Sequence, residues 1–386
     1  MAVRILLLLF TVTFAAQLGL GLVSPLLPIY AQDLGASGIW LGIIFAFFSF
    51  ARFIAMPIVG RYSDEYGRRR FIVYGLAMYT VISLFYILAN SPETLSVIRF
   101  AHGISSAMVV PVAMAYVGDI SPRGREGRYM GMFHVSMSLG VGFGPLMGGV
   151  ITDSLGFDFA FVAMGMLALA NLVFVIAILP ESTATREAIP RVPYRTVMSD
   201  RPVQAILAYR LVNSLGQGMV LSFLPIYAVV QLGLPLTMVG LVLSSRWLTN
   251  SIFNIPFGLL SDRYNRTVLA VIGGVVFATA LVAMPIASDG TQLLAINMLG
   301  AVGSSLAMAS TSAITTTLGR GLGMGTLMGL INAGHALGMT IGPLMAGIIF
   351  DTIGLNELFY VGGMCSAIGI LTFLVLMYRG RGDTRL

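Results

Sequence analysis

Lysine is absent from the 386 residues, cysteine occurs once, tryptophan twice and histidine three times, and only 10% of the residues are charged. A soluble domain carries about a quarter charged residues, so this scarcity excludes an ordinary water-facing fold. The lone Cys365 excludes an intrachain disulfide. No glycine-rich phosphate loop, cluster of metal-ligating residues or nucleophile–base arrangement is present, which argues against ATP-driven pumping, a metal site, a bound cofactor and catalysis. In place of charge the chain has apolar length, 57% hydrophobic residues and a mean hydropathy of +0.91. A bilayer is crossed by about 20 apolar residues, and at roughly 32 residues per span and turn the chain has room for twelve.

Charge-poor segments between turn signals predict helices over 4–30, 39–60, 71–89, 94–117, 128–151 and 158–179. A second set follows over 202–228, 236–259, 267–287, 291–316, 324–349 and 358–378. This reads as an N-terminal six-helix bundle (1–180), a polar linker (181–201) with Pro190, Pro193 and several arginines, and a C-terminal bundle (202–386). The start, Met1 to Val23, mimics a signal peptide but is expected to stay as the first helix, because its apolar run continues to about Tyr30.

The net charge of +6 comes entirely from arginine as the basic residue. Its placement in short loops and at helix ends fits membrane topology better than nucleic-acid binding. With the N-terminus inside, 18 of the 22 arginines fall on the cytoplasmic side. The opposite loops carry no arginine and seven acids: Asp33, Glu93, Asp153, Asp158, Asp289, Asp351 and Glu357. Both termini are therefore expected in the cytoplasm and the chain in the inner (plasma) membrane. Four arginines, Arg52, Arg99, Arg210 and Arg246, remain inside spans.

The chain repeats itself. Gly19-Leu-Gly21-Leu-Val-Ser-Pro25-Leu-Leu-Pro28-Ile-Tyr30 recurs as Gly216-Gln-Gly218-Met-Val-Leu-Ser-Phe-Leu-Pro225-Ile-Tyr227, displaced by 197 residues. Ser63-Asp64 recurs as Ser261-Asp262, Gly144-Pro145 as Gly342-Pro343, and Asp153 with Gly156 as Asp351 with Gly354, each displaced by 198. Such an offset across separate spans predicts two six-helix halves in parallel orientation.

Three stretches carry a family resemblance. They are Gly60-Arg-Tyr-Ser-Asp64-Glu65-Tyr-Gly67-Arg68-Arg69 between the second and third spans, Arg99-Phe-Ala-His102-Gly103 in the fourth, and Gly140-Val-Gly142-Phe-Gly144-Pro145-Leu-Met-Gly148-Gly149 in the fifth. Together they resemble the major facilitator superfamily over the whole chain, and the fifth-span element resembles that of its drug-export antiporter branch. Glu65 stands where the family has a basic residue; the second copy keeps Asp262-Arg263 but has Asn265 in place of the glycine.

The resemblance implies an all-α integral membrane protein of twelve helices in two pseudo-symmetric bundles, both termini inside, working by alternating access. It implies a cytoplasmic gate in the short loop Arg61 to Arg70, with Gly60 and Gly67 shaping it, Asp64 meeting the N-terminal end of the eleventh helix near Gly323 to Met324, and Arg68 bracing it. Asp262 takes the same place in the second copy. Gly140, Gly144 and Gly148 share one helical face and Pro145 permits a bend. These four, with Gly342 and Pro343, are read either as gating elements or as ordinary small-residue packing.

Polar residues inside spans are costly and mark either an aqueous path or hydrogen bonds between helices. Gln17, Arg52, Arg99, His102, Arg210, Asn213, Gln217, Arg246 and Asn250 are the substrate-binding candidates, most of them on stripes of three- or four-residue spacing. All 16 acids fall in or beside loops, whereas drug and proton antiporters usually keep a buried carboxylate. Proton coupling would then fall to His102, His134 or His335, or to Asp33.

The leading expectation is a monomeric, proton-coupled exporter of amphipathic small molecules. Its partners would be substrate, protons and the lipid bilayer. An organic-anion or metabolite exporter with an arginine-lined cavity is the second reading, and a membrane sensor that no longer transports is the third.

Overall fold

The computed structural model describes residues 2–121, 126–181, 197–322 and 324–382. Most of the predicted linker, Gly323, and Arg123, Arg125, Arg186, Arg191, Arg195 and Arg385 lie outside them. No strand occurs among the described residues. The helices are α1 (Ala2–Val23), α2 (Leu27–Asp33), α3 (Gly38–Tyr66), α4 (Arg68–Ile87), α5 (Pro92–Ile120), α6 (Glu126–Leu155) and α7 (Phe157–Ile178). They continue as α8 (Arg201–Ile226), α9 (Leu236–Arg263), α10 (Arg266–Ala283), α11 (Gly290–Leu322), α12 (Met324–Thr352) and α13 (Glu357–Gly382).

With α2 continuing α1, these make twelve long helical segments, and eleven are long and apolar enough to cross a membrane. The other, α9, is equally long at 28 residues. Its exception has a chemical cause, since Arg246, Asn250 and Asn254 fall in its middle. Large apolar side chains are exposed on helices throughout the chain, among them Leu88 at 70%, Met166 at 66%, Ile255 at 73% and Leu371 at 61%. Apolar surface on that scale is tolerable only against lipid, so this is a multi-pass membrane protein.

Helix ends depart from the sequence expectation in two ways. The first predicted span breaks after Val23, because Pro25 has no N–H to donate and Pro28 suits the opening turn of a new helix, α2. In the repeat, α8 ends at Ile226 and passes into a wider π turn over Tyr227–Gln231. The predicted loop Arg61 to Arg70 is almost wholly helical: α3 runs to Tyr66, α4 starts at Arg68, and Gly67 alone separates them at φ +101°. Backbone hydrogen bonding continues through charged residues where hydropathy falls, so the polarity change marks the membrane surface and not the helix end.

The chain divides into two compact units, Met1–Arg186 with Pro225–Leu248, and Glu187–Leu224 with Thr249–Leu386. In the first, α3 packs on α5, α1 on α6 and α7, and α4 on α5 and α7. Leu9, Val12, Ile72, Leu76, Val112, Tyr116 and Phe133 form part of its core. Tyr30 pins α2 by donating from its hydroxyl to Tyr86 O at 2.9 Å. In the second unit, α10 packs on α11 and α13, around Ile206, Tyr209, Ala270, Ile331 and Phe373.

Candidate functional site

At the α3–α4 junction Arg68 is 4% exposed and uses three faces of its guanidinium. Nη2 donates to Asp64 Oδ1 at 2.7 Å, Nε to Asp119 Oδ2 at 2.7 Å, and Nη1 to Ser63 Oγ at 3.1 Å. The planar fork of arginine suits this divergent set of acceptors. Asp64 and Arg68 are one helical turn apart, and Gly67 lets the chain re-enter a helix between them. A Cβ on Gly67 would also strike the Glu181 carboxylate, which accepts from Arg69 N at 3.0 Å. Arg69 Nη2 donates to Ile176 O at 2.7 Å, tying the junction to the end of α7. A Cβ on Gly60 would meet nothing within 4 Å among the described residues. In the second copy Asp262 lies 3.5 Å from Arg266 and is largely exposed.

Helix α6 has two glycine faces. Gly140, Gly144 and Gly148 face α1, where a Cβ would meet the backbones of Phe14, Gly21 and Leu22 respectively. Gly142 and Gly149 face the first half of α9, against the Leu248 side chain and the Leu236 backbone. Gly240 of α9 abuts the Pro145 carbonyl, and Leu146 N donates to Ser244 Oγ at 3.0 Å. Asp153 then caps α9, its two carboxylate oxygens accepting from Leu236 N at 3.2 Å and Thr237 N at 2.7 Å. An acid at a helix N-terminus answers both the free N–H groups and the helix dipole. These contacts hold Pro225–Leu248 to the first unit. The repeat builds the α1 face again in the second unit, with Gly338 and Gly342 against Leu211 and Leu215 of α8, and Pro343 against Gly218.

The polar candidates separate by unit. The first holds Gln17, half-buried beneath Gly140, with Arg52, Arg99, His102 and the buried Arg246. Arg99 Cζ stands 4.2 Å and Arg52 Cζ 5.7 Å from the ring centroid of Phe48. His102 is fully buried, with Nδ1 2.9 Å from the Tyr86 hydroxyl. The second unit holds Arg210, whose Nη1 donates to Met308 Sδ at 3.4 Å, and Asn213, which accepts from Gln217 Nε2 at 2.8 Å. Asn250 Oδ1 accepts from Ser304 at 3.2 Å, and His335 Nδ1 is hydrogen-bonded to Ser214. His134 and Asp33 are exposed.

Sequence reading missed Asp119, Glu181 and Ser244, and passed over Asp153 as a loop acid. Asp153 had a signal, its repetition at Asp351. Asp119 had none, because the 198-residue offset lands on Thr317.

The sequence matches the profile of the Major Facilitator Superfamily over residues 9–236 and again over 206–385. It is 28% identical over 370 residues to an uncharacterized MFS-type transporter of Methanocaldococcus jannaschii, covering 94% of this chain and 95% of that one. Over 378 residues it is 26% identical to Multidrug resistance protein 1 of Bacillus subtilis, covering 94% of each. Among solved structures the nucleoside transporter NupG shares the fold, with a TM-score of 0.82 at 10% identity over 96% of this chain and 99% of that one.

Proposed function

The chain belongs to the major facilitator superfamily, and on that premise we propose that it is a proton-driven exporter of amphipathic small molecules working by alternating access. The observation that carries this reading is the pair of glycine faces on α6. Where a helix is approached backbone to backbone, as at Gly144, Gly148 and Gly149, few side chains interlock, so its neighbours can shift with little unpacking. The glycine pattern is that of the drug-export branch, and the kinship to a multidrug resistance protein points the same way.

The Asp64–Arg68–Asp119 network would brace the cytoplasmic end of the first bundle. The arginine bias supports a cytoplasmic position for that end and for both termini. The candidate proton carriers are His102, His134, His335 and Asp33, of which His102 and His335 are hydrogen-bonded at Nδ1 within their own units.

The test is efflux of neutral, cationic and anionic fluorescent dyes from cells making the protein, with and without a protonophore. Dye should leave faster than from cells making Asp64→Asn, and the protonophore should abolish the difference. Efflux indifferent to the protonophore would remove the proton drive; no efflux of any dye would remove the exporter.

A further inference from the structure

Arg52 on α3 and Arg99 on α5 share one aromatic ring. Their guanidinium carbons lie 5.7 Å and 4.2 Å from the Phe48 centroid and hence within about 10 Å of each other. Among the described residues neither forms an ion pair with a carboxylate. Arg99 Nε donates to the carbonyl of Ile44 at 3.4 Å, whereas the buried Nε of Arg52 has no hydrogen-bond partner among the described residues. Two like charges close together in an apolar bundle repel each other and lack the water that would screen them.

One turn from Arg99, His102 completes the set. The buried Tyr86 hydroxyl is hydrogen-bonded to Arg99 as well as to His102 Nδ1; the guanidinium can only donate, so the hydroxyl proton goes to Nδ1, and a neutral imidazole then carries its own hydrogen on Nε2. Among the described residues that Nε2 is buried without a partner, on a residue 0% exposed. Phe48 and Tyr79 stand edge-on to the same imidazole, at 5.3 Å and 4.5 Å between centroids. Two guanidinium forks, an unused N–H and aromatic walls are the requirements of an oxyanion attached to an apolar body.

We infer that Arg52, Arg99 and His102 form a binding site for an oxyanion group, a carboxylate, sulfonate or phosphate, carried by an amphipathic molecule. As a statement of substrate class this rests on the exporter reading; as a binding site it does not. An oxyanion accepting from these guanidiniums would do so over charge-assisted hydrogen bonds of about 2.7–2.9 Å. A cationic amphiphile would add a third positive charge and be excluded.

The test uses a matched pair of probes, anilinonaphthalene sulfonate and phenylnaphthylamine, the same skeleton with and without the sulfonate. Binding to the full chain in phosphatidylcholine nanodiscs is followed by probe fluorescence. The sulfonate should bind the wild type more tightly than its neutral twin, and inorganic sulfate should displace it. Arg52→Gln and Arg99→Gln should each weaken sulfonate binding about tenfold, the scale of a lost charge-assisted hydrogen bond. Arg52→Lys and Arg99→Lys, which keep the charge but lose the fork, should fall between.

Equal affinity for the two probes, tighter binding of ethidium, or no competition by sulfate in the wild type would each overturn the site without reference to any variant. Discs containing phosphatidylglycerol separate the sources of the anion. Sulfonate binding lost there identifies a lipid phosphate as the occupant, and binding retained identifies a free solute. Cell efflux keeps the two readings apart. Sulfonate binding without efflux would leave the site and remove the exporter, whereas efflux of neutral and cationic dyes without sulfonate binding would leave the exporter and remove the site.

Discussion

Arg68 and Asp119 come from α4 and α5, 51 residues apart in sequence, and meet at 2.7 Å with the arginine buried. The equivalent arginine of the second unit, Arg266, finds Thr317 Oγ1 at 2.8 Å and is 34% exposed. Thr317 stands where the repeat offset places Asp119. One half therefore carries a buried charge network and the other a looser, largely neutral copy of it.

That asymmetry makes the two acids around Arg68 separable. Asp119→Asn should lower stability by about 1–3 kcal/mol, the scale of a hydrogen bond to a buried charge. Asp64 is more exposed, 30% against 13% for Asp119, so Asp64→Asn should cost less stability and more transport. Thermal unfolding of purified protein, set beside dye efflux, checks both. Equal melting of the two variants would contradict the assignment.

Gly67 is constrained twice, by its φ of +101° and by the Glu181 carboxylate. Gly67→Ala should destabilise by about 1–3 kcal/mol, the usual cost of a side chain in that backbone region. Glu181→Ala introduced beside it should recover only part of the loss, since the backbone strain remains. Full recovery would show that the clash, not the backbone, was decisive.

The glycines of α6 should not respond alike. At Gly144 a methyl would drive into the Gly21 backbone, whereas at Gly142 it would meet the movable Leu248 side chain. Gly144→Ala should therefore lower the unfolding temperature more than Gly142→Ala, consistent with overpacking costs of about 1–3 kcal/mol. Gly60, within α3 and with no described neighbour within 4 Å of a Cβ there, should accept alanine with a gain of about 0.5–1 kcal/mol from helix propensity. Destabilisation by Gly60→Ala would show that a Cβ at Gly60 meets a neighbour.

Asp153 supplies a cap to α9. Asp153→Ala should cost about 0.5–2 kcal/mol, and Asp153→Asn much less, because an amide oxygen still accepts. Hydrogen exchange at Leu236 and Thr237 gives the local readout, with faster exchange expected only for the alanine variant.

Much of the architecture was legible because hydropathy and charge act residue by residue. Twelve helices followed from charge-poor length, eleven of the described ones apolar enough to cross a membrane, and the duplication followed from letters repeated at a constant offset. The α6 face at Gly140, Gly144 and Gly148 followed from four-residue spacing, which places residues on one side of a helix whatever it packs against. Span ends such as Arg61 to Arg70 were misread because polarity locates water and not the end of helical hydrogen bonding. Asp119 stayed hidden because its partner depends on how α4 and α5 are rotated about their axes.

The sequence by itself determined that the chain is a helical membrane protein, that it is built from two related halves, and which positions in it are too polar or too small to face lipid. Only the tertiary structure decided which neighbour each of those positions meets. It set Arg68 on Asp119, Gly149 on Leu236, Asp153 at the head of α9, and Arg52 with Arg99 on one phenylalanine. A membrane helix is apolar on most of its circumference, so no hydrophobic stripe announces its rotational setting. That setting is chosen by close packing between helices, a property of pairs of surfaces that no single segment contains.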